Sequence, residues 1–267
     1  MIALKSYFTL YPQYVKIEMW IMKNPLVLEK NHPYHIIVRA VDRKTIFPTE
    51  EERTRFVVQM YAANIGSPGF NLHKRQVQEA CGDIFIGKEP YSVVEKKHNP
   101  LVSFFSFALV GNHYHFGLIG HFDNAISKYL QKLNTGFAKF FNAKHGRIGS
   151  LFETRFRAVP VENSRQLAAL TRYISIKNVL DVYDPKWTER PSIDVNTAAA
   201  FINDYRYSSF QDLFSSRSSL IMPASNFSYL QEVLGEEFLQ YRKNAFGQIS
   251  DVLTSKGIDM EYNIHVE

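Results

Sequence analysis

The chain has 267 residues, 45% hydrophobic and 14% aromatic, which is enough for one sizeable core with an appendage and is not the composition of a disordered protein. The single cysteine, Cys81, excludes an intrachain disulfide framework and cysteine-rich structural zinc sites, and it favours a cytoplasmic location. No apolar run approaches the ~20 residues that cross a bilayer, and neither a membrane span nor a secretory signal is predicted. Because the net charge is only +5, its distribution along the chain matters more than its total.

The first half of the chain predicts a strand, a helix and an insertion. The short apolar run from Tyr34 to Ala40 is typical of a strand. Thr49 is a predicted N-cap, with Glu52 as its capping-box partner, for a helix that extends to about Asn64. The mixed polar stretch at about 66–100 resembles an insertion loop. Its predicted elements are a short helix from Lys74 to Ala80 and a strand from Asp83 to Ile86.

A predicted hairpin follows and carries two histidines. The strand-like runs from Val102 to Leu109 and from His113 to Ile119 are joined by Gly111-Asn112, which suits an antiparallel hairpin. Because successive side chains of a strand point to opposite faces, His113 and His115 share one face. Two neutral imidazoles on one face are half of a metal site. The alternative is a pair of histidines that are merely hydrogen-bonded within the sheet.

The next predicted helix is basic. Asp123 is its predicted N-cap, and its apolar residues recur every three or four positions. Residues 128–157 contain seven basic side chains against one carboxylate, interleaved with aromatic rings, as expected for a surface that follows a phosphate backbone and stacks bases. A solvated helix face is the alternative. The predicted DNA-binding residues here are Lys128, Lys132, Lys139, Lys144, Arg147, Arg155 and Arg157.

A further helix is predicted after Asn163 or Ser164, either of which could be its N-cap. Its buried edge includes Leu170 and Ile174. At 100° per residue, Tyr173 lies about 80° from the middle of that edge, at the boundary between core and solvent. From the residues alone, a packed tyrosine with its hydroxyl at the surface is the simplest interpretation.

Five segments, in order, resemble the small HUH single-tyrosine transposases and, within them, the REP-associated tyrosine transposases. The resemblance runs from about His32 to Tyr207. No single segment would identify the family, so the resemblance rests on their order and spacing. The segments are Tyr34–Ala40, Asn112–Phe116, Gly149–Arg157, Arg172–Ile174 and Tyr205–Ser209.

The resemblance implies an α+β fold, a ferredoxin-like domain with a central antiparallel sheet flanked by helices. This domain would occupy residues 23–185, with the insertion at about 66–100. Residues 1–22 would be an N-terminal extension of doubtful start, and residues 186–267 a mostly helical C-terminal extension. The family also implies a monomer, with a dimer as the alternative.

The resemblance further implies a chemistry on single-stranded or hairpin DNA. His113 and His115 would hold a divalent metal, Mg²⁺ or Mn²⁺. Tyr173 would be the nucleophile that attacks a phosphodiester, leaving a 5′-phosphotyrosine and a free 3′-hydroxyl. Strand joining would reverse this step without ATP.

One departure from the family pattern concerns the third metal ligand. Relatives usually carry Asn or Gln four residues after the tyrosine, whereas this sequence has Lys177 there and Asn178 one position later. Because a lysine ammonium cannot ligate a metal, either Asn178 replaces it through a local shift, or Lys177 contacts DNA phosphate or stabilises the phenolate. Cleavage could also be lost. Three functions therefore stay open: a strand-transferring endonuclease, which is favoured, a domesticated non-catalytic DNA-binding protein, and a metal-dependent phosphodiesterase that uses water.

Overall fold

The computed structural model describes residues 27–66, 74–90, 99–190, 193–227, 231–232, 235 and 244–255. The predicted extension at residues 1–22 lies outside the described residues. Four strands form an antiparallel sheet in the order β2-β3-β1-β4: β1 (Pro33–Arg39), β2 (Val102–Val110), β3 (His113–Gly120) and β4 (Arg157–Pro160). Helices α1 (Glu50–Ile65) and α2 (Lys74–Phe85) connect β1 to β2, and α3 (Ala125–Lys144) connects β3 to β4. This β-α-β-β-α-β order is ferredoxin-like and confirms the predicted α+β class.

A helical segment follows β4 and crosses the sheet. It consists of α4 (Ser164–Arg172), a π-helical turn (Tyr173–Lys177) and α5 (Asn178–Tyr183). Beyond it the described helices are α6 (Val195–Asp204), α7 (Phe210–Phe214) and α8 (Ala245–Ser255). Helix α6 packs against α5, and α8 packs against α6 and the π turn. Within the described ranges, no helix is both long and apolar enough to cross a bilayer.

The sheet separates two helical layers. On one face, Phe104 of β2 packs edge-on against Tyr129 of α3, and the Tyr114 hydroxyl of β3 donates to Asn134 Oδ1 of α3 at 2.6 Å. On the opposite face, the π turn packs against β2 and β3, and α5 packs against β2. We call this second face, which carries His35, His113 and His115, the histidine face. The basic helix α3 and the histidine pair therefore lie on opposite sides of the sheet.

The free edge of β2 is closed by the segment that follows α6. Ala108 forms an isolated antiparallel bridge with Ser208, and the Leu109 amide donates to the Tyr207 carbonyl at 3.0 Å. The Ser209 amide donates to the Phe107 carbonyl at 2.8 Å. The segment from Tyr205 to Ser209, part of the family resemblance, thus satisfies backbone groups that an open sheet edge would leave unpaired.

Two local predictions are confirmed at helix N-termini. The Thr49 hydroxyl accepts the Glu51 amide of α1 at 3.3 Å and also donates to the Glu52 carboxylate, although no reciprocal capping-box bond to the Thr49 amide is present. Asn163 caps α4, where its Oδ1 accepts the Gln166 amide at 3.0 Å.

Two local predictions are wrong. The strand predicted from Asp83 to Ile86 is the end of α2, whose buried side chains recur at helical spacing and pack against α1. Asp123 does not cap α3; Asn124, in the left-handed conformation with φ 61°, precedes the helix. Asp123 Oδ1 instead accepts the Lys30 amide at 2.9 Å, and this bond joins the turn before α3 to the segment that precedes β1.

Candidate functional site

Three imidazoles meet on the histidine face. In the β1–β3 register Ile37 lies opposite His115, so His35, two residues earlier, is its diagonal neighbour. The His35 Nε2 and His115 Nδ1 atoms are 2.9 Å apart, and the ring centroids of His113 and His115 are 4.8 Å apart. His35 and His115 are each 1% exposed. The sequence prediction missed His35 because its proximity to His115 depends on the pairing of strands 80 residues apart.

Hydrogen bonding orients the two predicted metal ligands. The Asn112 side chain donates through Nδ2 to the Arg43 carbonyl, so its Oδ1 accepts from His113 Nδ1 at 2.6 Å. With its proton on Nδ1, a neutral His113 carries its lone pair on Nε2. In His115 the Nδ1 atom contacts His35, and the buried Nε2 atom has no hydrogen-bond partner among the residues that the structure describes. His113 can therefore offer Nε2 to a ligand, and which nitrogen His115 can offer depends on the direction of its hydrogen bond with His35.

Burial keeps the three imidazoles neutral. It lowers the pKa of His35 to about 3, with a further contribution from the charge of Arg157. It lowers the pKa of His113 to about 4, and Arg39 acts in the same direction. The pKa of His115 is well below its ordinary value, chiefly because burial disfavours the charged form. Neutral imidazole is the form that binds a metal.

Tyr173 begins the π turn directly over these histidines. Its ring centroid lies 5.5 Å from that of His115 and 5.8 Å from that of His35, edge-on in both contacts. The side chain is 8% exposed. The prediction placed Tyr173 at the boundary between core and solvent, and the structure buries it because the helical segment packs this side onto the sheet.

The π turn determines where Lys177 and Asn178 lie relative to Tyr173. In an α-helix, a residue five positions ahead lies about 140° around the axis. Here the Asn178 amide bonds to the Tyr173 carbonyl, and this i to i+5 turn returns Asn178 towards the side of Tyr173. Asn178 is 1% exposed, and within the described part of the chain its Nδ2 atom has no hydrogen-bond partner. The turn is a local shift of the kind that would let Asn178 replace a ligand four residues after the tyrosine.

Lys177 is also held close to Tyr173. Its Nζ atom lies 5.2 Å from the centre of the Tyr173 ring and 3.0 Å from Asp181 Oδ2. The other carboxylate oxygen of Asp181 accepts from Trp187 Nε1 at 2.8 Å. The lysine charge is thus fixed beside the tyrosine by an anchored carboxylate.

The predicted DNA-binding residues are divided between the two sides of the sheet. Arg157 begins β4 opposite Ile37 on the histidine face, where Lys177 also lies. Arg39, which was not predicted, pairs in register with His113 and is exposed. Arg39 lies in the Tyr34–Ala40 segment, where strand alternation places every second side chain on the same face. This alternation is the sequence signal that could have identified it.

The lysines of α3 lie in the other layer. Lys132 Nζ donates to the Gly66 carbonyl at 2.6 Å, and Lys144 Nζ contacts Glu52 at 2.6 Å and Glu51 at 3.1 Å. Lys128 and Lys139 are exposed there. In the loop before β4, Arg147 donates to Asn142 Oδ1 at 3.1 Å and Arg155 is exposed. The structure does not bring the lysines of α3 together with the histidines in one surface.

The donor set fits an open metal site. His113 can offer Nε2, His115 can do so when its proton is on Nδ1, and Asn178 could contribute its amide oxygen. Imidazole nitrogen suits Mn²⁺, whereas Mg²⁺ would need phosphate and water oxygens to complete its shell. Among the residues that the structure describes, no three His, Cys, Asp or Glu side chains are arranged to hold a metal. Two imidazoles and one amide oxygen would leave coordination positions for oxygens of water or of a substrate phosphate.

Comparisons with known proteins give one distant similarity. No protein-family model and no curated protein matches the sequence. A solved structure of a REP-associated tyrosine transposase bound to a REP hairpin matches over 69% of this chain and 79% of that chain, with 12% sequence identity and a TM-score of 0.39. Because this similarity is distant, the functional assignment has to rest on the geometry of the histidine face.

Proposed function

We propose that this protein is a metal-dependent single-stranded DNA endonuclease and strand transferase of the tyrosine transposase type, acting on hairpin DNA. The observation that supports the proposal is the packing of Tyr173 over neutral His115, 5.5 Å between ring centroids, beside His113 on the same strand face. This juxtaposition combines a potential nucleophile with two imidazoles that can hold an activating metal, one of the arrangements that support covalent phosphodiester chemistry.

In the proposed reaction, the phenolic oxygen of Tyr173 forms a bond to phosphorus and the bond from phosphorus to the 3′-oxygen breaks. The products are a 5′-phosphotyrosine and a 3′-hydroxyl, which takes up one proton while the phenol gives one up. Because the phosphoester bond is exchanged and not hydrolysed, attack by a 3′-hydroxyl rejoins the strand without ATP.

Ionising the tyrosine is the main obstacle. With an ordinary pKa of ~10, forming phenolate at pH 7 costs about 4 kcal/mol. The Lys177 ammonium beside the Tyr173 ring stabilises negative charge on the phenolic oxygen. His113, His115 and Asn178 would hold the divalent cation, which when bound polarises the phosphate and stabilises the leaving 3′-oxygen.

Arg39 and Arg157 extend the positive charge of the site along the sheet. Arg39 lies beside His113 in the register, and Arg157 begins the neighbouring edge strand. Guanidinium groups bind phosphate through paired N–H donors. We therefore propose that the DNA strand runs across the histidine face, with these two side chains on the phosphates next to the scissile bond.

A non-catalytic DNA-binding function is the second candidate, because one observation favours it. The ammonium of Lys177, paired with Asp181, lies next to Tyr173 at the site where a cation would have to bind. A fixed positive charge there repels a metal ion. Loss of cleavage with retention of the cationic face would give a protein that binds DNA and leaves it intact.

The experiment uses a labelled pool of single-stranded hairpin oligonucleotides, including DNA that flanks the gene, with Mn²⁺ or Mg²⁺. We expect label that stays on the protein in a denaturing gel. Tyr173→Phe and His113→Ala should abolish this adduct. Tyr183→Phe is the matched control, because Tyr183 is an exposed tyrosine at the end of the same helical segment and should leave the adduct intact.

Two other results would contradict the proposal in different ways. Retarded DNA with neither adduct nor cut strand would indicate the non-catalytic binding protein, and Lys177→Asn would then test whether removal of the ammonium restores cleavage. Cut DNA without an adduct, unaffected by Tyr173→Phe, would indicate a phosphodiesterase that uses water.

A further inference from the structure

His35 has no part in the proposed reaction, yet it is enclosed against one of the metal-ligand candidates. Its ring stacks on that of His115, with centroids 5.2 Å apart and an interplanar angle of 24°. Among the described residues, His35 Nδ1 and His115 Nε2 have no hydrogen-bond partner, so each ring makes its contact through one nitrogen. The residue opposite His35 in the ladder is Gly117, and the ring of Phe105 fills the space of a side chain there. The pair is therefore sterically confined.

We propose that His35 is a positioning residue that accepts the Nδ1 proton of His115 and so leaves the lone pair of His115 on Nε2, directed to the cation. In a neutral imidazole one nitrogen donates and the other accepts, so the partner of Nδ1 decides what Nε2 can do. The two rings then hold one proton each, on Nδ1 of His115 and on Nδ1 of His35. This inference rests on the proposed function, because the cation is the metal of that site.

The surroundings of His113 support the assignment. Asn112 Oδ1 accepts from His113 Nδ1, and this bond leaves the lone pair of His113 on Nε2. If His35 plays the same part for His115, both histidines of the strand present the same ring nitrogen to the histidine face. Metal-ligating histidines are usually oriented in this way by a carboxylate or carbonyl acceptor. Here the acceptor is an uncharged ring, which adds no negative charge to the buried site.

The first readout needs no metal. Long-range ¹H–¹⁵N correlation spectra of histidine-labelled, metal-free protein report which ring nitrogen carries the proton, and the His115 signal is identified by its absence in His115→Asn. We expect the proton on Nδ1 in the wild type. His35→Gln should preserve this tautomer, because its amide oxygen can occupy the position of Nε2, whereas His35→Leu should move the proton to Nε2. His121→Gln is the control, because His121 bonds to Ser103 outside the pair.

The second readout is Mn²⁺ affinity, measured from the electron paramagnetic resonance signal of free Mn²⁺. We expect His35→Leu to weaken binding by about 10- to 100-fold, as for other partners of metal-ligating histidines, and His35→Gln to keep most of the affinity. His115 protonated on Nε2 in the wild type, or an unchanged tautomer in His35→Leu, would overturn the inference. Wild-type protein with the Nδ1 tautomer but no Mn²⁺ binding would leave the role of His35 standing and would contradict the metal dependence of the proposed function.

Discussion

The proposed path of DNA across the histidine face can be tested by removing charge from one side of the sheet at a time. Arg39 and Arg157 lie on that face, whereas Lys128 and Lys139 are exposed on α3 in the opposite layer. The double variants Arg39→Gln/Arg157→Gln and Lys128→Gln/Lys139→Gln remove the same charge from the same protein. Because all four side chains are exposed, neither variant should alter folding.

The expected effect follows from counterion release. Each phosphate neutralised on single-stranded DNA contributes about −0.7 to the slope of log affinity against log salt concentration. Two lost contacts therefore reduce the slope by about 1.4. Between about 50 and 200 mM salt, a slope contribution of this size changes affinity by about sevenfold. The arginine variant should lose this salt sensitivity together with affinity at low salt, and the lysine variant should keep both.

Fluorescence anisotropy of a labelled hairpin oligonucleotide, titrated at several salt concentrations, measures the slope directly. Cleavage must be prevented during the titration, so the measurement is made in a Tyr173→Phe background without metal. An equal or larger loss of slope in the lysine variant would refute the reasoning and place the DNA on α3. A loss in neither variant would show that neither pair contacts phosphate.

Three further outcomes are expected. Glu52→Gln should lower the free energy of unfolding by about 2 kcal/mol in chemical denaturation, because the buried carboxylate 2.6 Å from Lys144 is lost while Lys144 keeps Glu51 at 3.1 Å; an unchanged midpoint would contradict this. Metal-free protein should lose thermal stability as the pH falls from 6.5 towards 4. In the folded protein the pKa is about 3 for His35 and about 4 for His113, so both stay neutral over this range while the same histidines bind protons in the unfolded chain. A flat profile of thermal stability against pH would contradict this. Deletion of Lys177 should preserve helical content and lower adduct formation without abolishing it, as measured by circular dichroism and denaturing gel, because it turns the π turn into an α turn that keeps Asn178 and removes only the ammonium beside Tyr173; complete loss of the adduct in a folded deletion variant would contradict this.

Features of the fold that depend on neighbouring residues were predictable from the sequence. Alternation in the hairpin identified the strand face shared by His113 and His115, and the Thr49 and Asn163 caps located the starts of two helices. These features depend on backbone geometry and hydrogen bonds within a few residues. The cap at Asp123 failed because its carboxylate bonds to the Lys30 amide, 93 residues away, a partner that no local pattern reveals.

Features of the site that depend on strand register and layer order were not predictable. Residues 128–157 form one basic stretch in the sequence, but the sheet lies between α3 and the histidines, and proximity along the chain could not reveal that these charges are divided between two layers. His35 and Arg39 join the site only because β1 pairs with β3 in one register. A slip of one residue would turn both side chains to the opposite face.

The π turn offers a physical account of the unexpected order of Lys177 and Asn178. A π turn contains one residue more than an α turn, so a helix with one inserted residue can keep both of its ends in register with the sheet. The bond from the Asn178 amide to the Tyr173 carbonyl makes Asn178 the residue one turn after the tyrosine, and leaves Lys177 as the extra residue by position. As the extra residue of the turn, Lys177 pairs with Asp181 and lies against the Tyr173 ring. Lysine at position 177 therefore leaves the residue suited to ligation one turn from Tyr173, and any effect of the lysine on cleavage comes from its charge beside the ring, not from loss of the amide.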